Sequence, residues 1–554
     1  MSPGGLTAHK NMRMTFDKNL FFAAVFAVAL APFSETVFAA GESAPASPAI
    51  ARARRIQIKE VTPEDVKKII DVGAKLSLAE AVPAALRKNL GIAITRVQKS
   101  ITAETPEIEN AAFDPTLAFS SIYSTSGTPY LRAQNSGTSN QKWANEISLA
   151  KKFSYGTQAK LYGQFNRLYN TESGISPDTG AAVGLEIAQP LMSGFGEEVN
   201  LAPLVKARKN VMQSGLGLRK STLDLILDTE LAYWNLSASY ALVQARLSSL
   251  RYAEFVLEQA KKRRDIKAAT QEDVLQAEAD AASRRVSLVS ARQAVSDCDD
   301  ALRKLLGQTG DELAGTYEVA ALADDVPAET MTFRDWISEV RSFDIDSQIR
   351  EIDREKAELD YRVAEDADRP SLDLVLGAEA SGRERSPRYA VSGITNRSGY
   401  NLSAGIQFSV PIGFRRSGAE LRQAAKARES AALAIAEAVQ TAMFNARNAW
   451  RACEAARERL DAAKAALKMQ RESYEGQLTK YSLGSSKMTD VLAAQDSLDS
   501  ARLELIQAAL DVVSSRAKVL RLDGRILSGN GFTWQEIDSF ETARDAEKQP
   551  LSFL

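Results

Sequence analysis

The chain is written twice, and missing that duplication would misread the whole fold. Repeat one (76–307) runs from about Leu76 to Gly307, and repeat two (331–524) from about Met331 to Gly524. Each opens with an amphipathic helical stretch, Leu76 to Ala111 and Met331 to Ala367. Each continues into a proline-led strand, Asp114-Pro115-Thr116-Leu117 and Arg369-Pro370-Ser371-Leu372. A second strand follows in each, Val183 to Pro190 and Asn401 to Pro411. It ends at a small-residue corner, Ser193-Gly194-Phe195-Gly196 or Ile412-Gly413-Phe414.

Beyond each corner lies a helical run that no proline interrupts, from Leu204 to Leu306 and from Arg415 to Asp523. Alanine fills 19 of the 52 positions from Ala419 to Gln470, which favours helix and permits close helix packing. About 65 helical residues extend roughly 100 Å, more than a globular domain needs. Each run breaks once, at Ile266-Lys267-Ala268 and at Leu483-Gly484-Ser485, and resumes with a shared Asp-Val-Leu-x-Ala element at Asp273 and Asp490. In both repeats 34 residues separate that aspartate from the closing glycine, Gly307 or Gly524. Thr489 and Asp490 read as a helix start, where polar and acidic groups satisfy free N–H donors. Each long helix is therefore expected to turn and come back as a shorter one.

The strands alternate with period two. Leu402, Ala404, Ile406, Phe408 and Val410 share one face, and Asn401, Ser403, Gly405, Gln407 and Ser409 the other. A half-buried soluble sheet alternates in the same way, so the strand count matters more than the pattern. There are two strands per repeat, plus an extra segment, Trp143 to Tyr169, that could add a hairpin turning at Phe153-Ser154-Tyr155-Gly156. Neither four nor six strands can close a membrane barrel, and open edges are excluded from lipid. If these strands cross a membrane, several chains have to pool them.

The N-terminus reads as a secretory signal (1–39). Lys10, Arg13 and Lys18 precede an apolar run from Leu20 to Ala31, with small residues before a cut expected after Ala39. That run is shorter than the ~20 residues a bilayer requires. Residues 40–75 read as a linker, flexible in its Pro, Ala and Ser-rich first part, residues 308–330 as the inter-repeat connection, and residues 525–554 as the C-terminal tail. The only histidine is His9, so cleavage would leave no imidazole for a triad, a metal or a proton shuttle. No catalytic group, cofactor motif or metal set stands out. A net charge of -2 gives no reason to expect nucleic acid. Cys298 and Cys453 read as buried small residues, with a disulfide as the alternative.

Taken together, these residues resemble the TolC-like outer-membrane efflux proteins. The resemblance rests on Leu78-Ala79-Glu80-Ala81, Phe113-Asp114-Pro115-Thr116-Leu117, Gln189-Pro190-Leu191-Met192-Ser193-Gly194-Phe195-Gly196 and the Gly484 to Ala494 tip, in order and in duplicate. It implies an α+β fold: duplicated long-helix hairpins forming a trimeric periplasmic α-barrel, with a shared β-barrel in outer-membrane lipid. The function it implies is passive export through the outer-membrane exit duct of a tripartite efflux or type I secretion system, gated at the periplasmic helix tips. The implied partners are two more copies of the chain, a periplasmic adaptor and an inner-membrane transporter.

The resemblance also implies roles at the tips. Asp490, Asp273 and Tyr481 become candidates for the pore constriction. Leu483, Gly484 and Ser485, with Ile266, Lys267 and Ala268, become candidates for adaptor docking. Other readings stand beside these: the aspartates cap helices, Tyr481 is an edge aromatic, and the basic run Lys261-Lys262-Arg263-Arg264 is a solvated helix face. A periplasmic coiled-coil scaffold without a pore is the alternative function, although it leaves the repeated strands unexplained.

Overall fold

The computed structural model describes residues 61–128, 138–170, 178–308, 315–322, 331–396 and 399–536. The expected signal segment and the last part of the tail lie outside the described residues. Helix α1 (Pro63–Lys67) and strand β1 (Val72–Lys75) come first. The segment expected as a linker thus carries structure in its C-terminal part. There, β1 pairs in parallel with β6 (Thr316–Glu318), which lies in the inter-repeat connection.

Each opening helical stretch is two helices, not one. In repeat one these are α2 (Leu78–Lys88) and α3 (Leu90–Asn110). Asn89 ends the first with extended ψ, and its Oδ1 accepts from Ile92 N at 3.1 Å to start the second. Repeat two has its own pair, α7 (Phe333–Phe343) and α8 (Ile345–Ala367), divided at Asp344, whose Oδ2 accepts from Ser347 N at 2.9 Å. The break could be read only from these Asx residues, since the apolar pattern runs through it.

Strands β2 (Thr116–Thr128), β3 (Thr138–Lys152), β4 (Gln158–Asn170), β5 (Asp178–Pro190), β7 (Ser371–Glu384) and β8 (Gly399–Ser409) form one antiparallel sheet in that order. The Trp143 to Tyr169 segment is the β3–β4 hairpin, so each chain supplies six strands. Its turn closes with Phe153 N donating to Thr157 O at 2.8 Å, and Gly156 there has φ 93°. The register aligns Leu117, Leu149, Leu161 and Leu185 in one row, with Ala378 and Leu402 continuing it. One face is thus largely apolar, with Ser121 and Asn145 hydrogen-bonded to each other on it at 2.7 Å. The other carries Glu146, Lys160, Glu186 and Glu379, with Tyr162 hydroxyl donating to Glu379 at 2.8 Å. Among the described residues, β2 and β8 each pair on one side only.

Short helix α4 (Glu197–Asn200) turns the chain into α5 (Ala202–Asp265), which is followed by α6 (Gln271–Leu305). In repeat two, α9 (Pro387–Thr395) lies between β7 and β8, and α10 (Arg415–Ser482) and α11 (Met488–Leu522) form the second hairpin. At 64 and 68 residues, α5 and α10 are each about 100 Å long. The corner after β5 is pinned to α8, where Gly194 N donates to the buried Asp366 carboxylate at 2.6 Å.

The main core gathers where β1, β6, α2 and the short helix α12 (Arg525–Gly529) meet α5 and α6. Tyr233, Leu236, Leu86, Leu302 and Ile526 are buried there. Ser237 hydroxyl donates to Ala320 O at 2.7 Å, and Tyr240 hydroxyl to Tyr317 O at 2.9 Å, so the inter-repeat connection is bound to α5. A second core holds Trp336, Val340, Cys453 and Val519, and Trp336 Nε1 donates to Asp523 at 2.7 Å. Both cysteines are free thiols: Cys453 is buried as expected, and Cys298 is half-buried.

Candidate functional site: the helix tips

Both long helices end in the same backbone turn. In repeat one, Ala268 N donates to Arg263 O at 2.7 Å and Lys267 N to Arg264 O at 2.8 Å. In repeat two, Ser485 N donates to Lys480 O at 3.0 Å and Gly484 N to Tyr481 O at 3.0 Å. This is the Schellman arrangement, which places one residue in the left-handed region. Gly484 has φ 79°, and Lys267 has φ 61°. Repeat one therefore makes with lysine a turn that repeat two makes with glycine. The left-handed conformation costs a lysine on the order of 1 kcal/mol relative to glycine. Just before these residues stand Ile266 and Leu483, 74% and 60% exposed, so each turn presents one apolar side chain at its apex.

The returning helices start with acidic groups at their third residue. In α6, Thr270 Oγ1 accepts from Asp273 N at 3.1 Å while Asp273 Oδ2 accepts from Thr270 N at 2.8 Å, a reciprocal capping box. In α11, Asp490 Oδ2 accepts from Lys487 N at 3.3 Å and from Ser486 hydroxyl at 3.2 Å. Neither aspartate is itself the N-cap; each reaches back to the cap residue. Asp490 is exposed and Asp273 is half-buried, so capping leaves Asp490 open to solvent. Thr270→Ala should destabilise the α6 start by about 1 kcal/mol. Faster amide hydrogen exchange over residues 271–274 would register it, and unchanged exchange there would refute it.

Tyr481 is buried, not at a solvent edge. The Arg263 guanidinium lies 4.3 Å from its ring centroid and also donates to the Tyr481 carbonyl oxygen. Burial pushes the Tyr481 phenol above its ordinary value, and the Arg263 charge acts in the opposite sense. The basic run thus divides. Lys261, Lys262 and Arg264 are exposed and paired with Glu278, Glu258 and Asp265. Arg263 turns inward and ties the tip of repeat one to that of repeat two.

Higher up lies a polar cluster that the sequence reading did not single out. Arg284 of α6 is held by Asp280 of α6 at 2.8 Å, by Asp496 of α11 at 2.7 Å and by Asp499 of α11. Ser249 of α5 donates to Asp499 at 2.5 Å. Burial opposes the Arg284 charge, but the Asp280 hydrogen bond and the charges of Asp499, Asp280 and Asp496 outweigh it, so the guanidinium pKa is raised. Beside the cluster, Tyr252 and Tyr474 meet edge to face at 5.5 Å, joining α5 to α10. The only local signal was spacing, Asp280 to Arg284 and Asp496 to Asp499, which surface pairs also show.

The family model described as outer membrane efflux protein matches residues 148–308 and 336–525, more than half of the chain. The chain belongs to the outer membrane efflux protein family. Outer membrane efflux protein BepC of Brucella suis is 24% identical over 373 residues, 66% of this chain and 77% of that relative. The Campylobacter jejuni CmeC outer membrane channel superposes with a TM-score of 0.62 at 16% identity, covering 94% of this chain and 99% of that one. The Vibrio cholerae outer membrane protein VceC gives 0.59 at 15% identity, over 81% and 96%. The last two are likenesses of fold. Both the family description and the BepC relative name an outer membrane efflux role. No helix among the described residues is long and apolar enough to cross a membrane.

Proposed function

We propose that this efflux protein is the subunit of a homotrimeric exit duct whose β-sheets pool into one outer-membrane barrel and whose helices cross the periplasm. The sheet carries the argument: six strands, one largely apolar face and, among the described residues, two edges that pair on one side only. An apolar face of this height needs lipid against it, and open edges in lipid need partners. Three copies, the number implied by the family resemblance, bring the strands to eighteen, three times the six of each chain. The scaffold alternative leaves this sheet without a role.

In this reading the substrate moves passively and the energy is supplied by an inner-membrane transporter joined through a periplasmic adaptor. The adaptor docks on the turns at Ile266-Lys267-Ala268 and Leu483-Gly484-Ser485, whose matching backbone supports two equivalent seats. Opening separates the tips, with Arg263 leaving the Tyr481 ring. Three Asp490 carboxylates around one axis favour cations in the closed and partly open duct.

Two measurements test this. Light scattering in detergent, with the detergent mass subtracted, should give three chains per particle; a stable monomer would break the shared-barrel argument. In planar bilayers, Asp490→Asn keeps a capping oxygen but loses the charge, and should shift the reversal potential in a salt gradient toward weaker cation preference. An unshifted potential would leave Asp490 a capping residue alone.

A further inference from the structure

Helix α9 lies on the sheet against β5 and β7. The closest approach is at Gly382 of β7, where a Cβ would fall 2.1 Å from Ala390 O and 2.9 Å from Gly393 Cα. Thr179 and Ala181 of β5 are buried there, and Thr179 hydroxyl donates to Arg385 O at 3.3 Å. By strand alternation Gly382 shares the face of Leu376, and Thr179 and Ala181 share that of Leu185. Helix α9 therefore sits on the apolar face. It does so at the end of the sheet remote from the long helices, because β7 leaves α8 at residue 371 and α9 starts at residue 387.

The free side of α9 exposes Arg388, Tyr389 and Val391. At the same end of the same face, Tyr123, Trp143 and Arg167 stand opposite one another across β2, β3 and β4. Arg167 guanidinium lies 5.1 Å from the Tyr169 ring centroid. Among the described residues, Arg167 and Arg388 stand on or beside this face, with Glu384 of β7. Arg383 points to the opposite face by alternation, where Asp178 neutralises it at 2.8 Å. Below this level the face is mainly Leu, Ile, Val, Ala and Phe, with the polar Ser121 and Asn145 hydrogen-bonded to each other at 2.7 Å. An apolar band, then amphipathic aromatics, then an excess of guanidinium charge is complementary to acyl chains topped by anionic head groups.

We propose that α9, with Arg167 and Arg388, is a docking site for the phosphorylated head group of an outer-leaflet glycolipid. Guanidinium groups take phosphate oxygens two at a time, which suits arginine here better than lysine. The site stands on the middle strands β5 and β7, clear of the edges β2 and β8 that have to pair with other copies. It rests on the reading of this sheet as a barrel wall.

The test uses the full-length protein in phosphatidylethanolamine nanodiscs containing either bis-phosphorylated lipid A or lipid A stripped of its phosphates. Bound lipid is counted by native mass spectrometry. Wild type should retain the phosphorylated form selectively. The Arg167→Gln/Arg388→Gln variant should retain it roughly thirty-fold less well, since each of the two basic groups near the surface contributes about a kcal/mol. Arg167→Lys/Arg388→Lys should recover most of the difference. Equal retention of the two lipids, or equal retention by wild type and the glutamine variant, overturns the site. So does a glutamine variant that loses subunits, which would make this rim a contact between copies. Bilayer conductance separates the levels: a conducting channel indifferent to lipid phosphate sinks the site alone. A wild-type protein that neither inserts nor conducts sinks the barrel reading, and the site with it.

Discussion

Arg284→Met should loosen the lower third of both hairpins and expose the tips to protease. Arg284 and Asp499 side chains are 9% and 10% exposed, and Asp280 is 20% exposed, so removing the guanidinium leaves two carboxylates in a poorly hydrated site. Breaking a buried pair from one side typically costs about 3–5 kcal/mol. Asp496 is 70% exposed and contributes little to that loss. The change should appear as trypsin cleavage at Lys261 to Lys267 that is on the order of 100-fold faster, where cleavage follows local opening. The double variant Arg284→Met/Asp499→Leu should recover most of the resistance, because an apolar pair of similar volume leaves no stranded charge. If the single and double variants are cut equally fast, the cluster is not what holds hairpin two to hairpin one.

Gly307→Ala is expected to be nearly as damaging, for a different reason. Gly307 has φ 67°, and a Cβ would fall 2.3 Å from the backbone oxygen of Lys88. The left-handed conformation costs alanine about 1–2 kcal/mol and forced overpacking a further 1–3 kcal/mol. Gly524 closes repeat two in the same way, with φ 78° and a would-be Cβ 2.4 Å from the Phe343 ring. Lys88 and Phe343 each precede the Asx residue that divides their helix pair, so each closing glycine lies against the break of its own repeat. Both substitutions should lower the thermal midpoint by several degrees, Gly307→Ala more, since a backbone carbonyl yields less than a ring. Gly476→Ala, in an open stretch of α10, should instead gain about 0.5–1 kcal/mol. A Gly307→Ala protein as stable as Gly476→Ala would mean that the backbone has room to move.

The duplication, both hairpins, two strands in each repeat and the spacing to Gly307 and Gly524 were all legible, because each follows from period or from a turn residue. The sequence could not decide whether Trp143 to Tyr169 paired with the other strands, since alternation does not name a partner; the register of β3 with β4 does. The helix breaks at Asn89 and Asp344 were hidden within continuous apolar spacing. At the tips, the positions of Asp273 and Asp490 were legible as helix starts, while the inward turn of Arg263 and the depth of Arg284 were not. A charged residue on a long helix looks the same in sequence whether it meets water or another helix. Lys267 was legible as a departure from the glycine of repeat two, but not as the same turn.

That lysine separates shape from chemistry. Because Lys267 and Gly484 hold one backbone form, the two turns share a main-chain shape, while the apex of one carries an ammonium group and that of the other no side chain. A ring of three such chains would alternate them six times around. An object that fitted every seat by shape alone would still be told its rotational setting by charge.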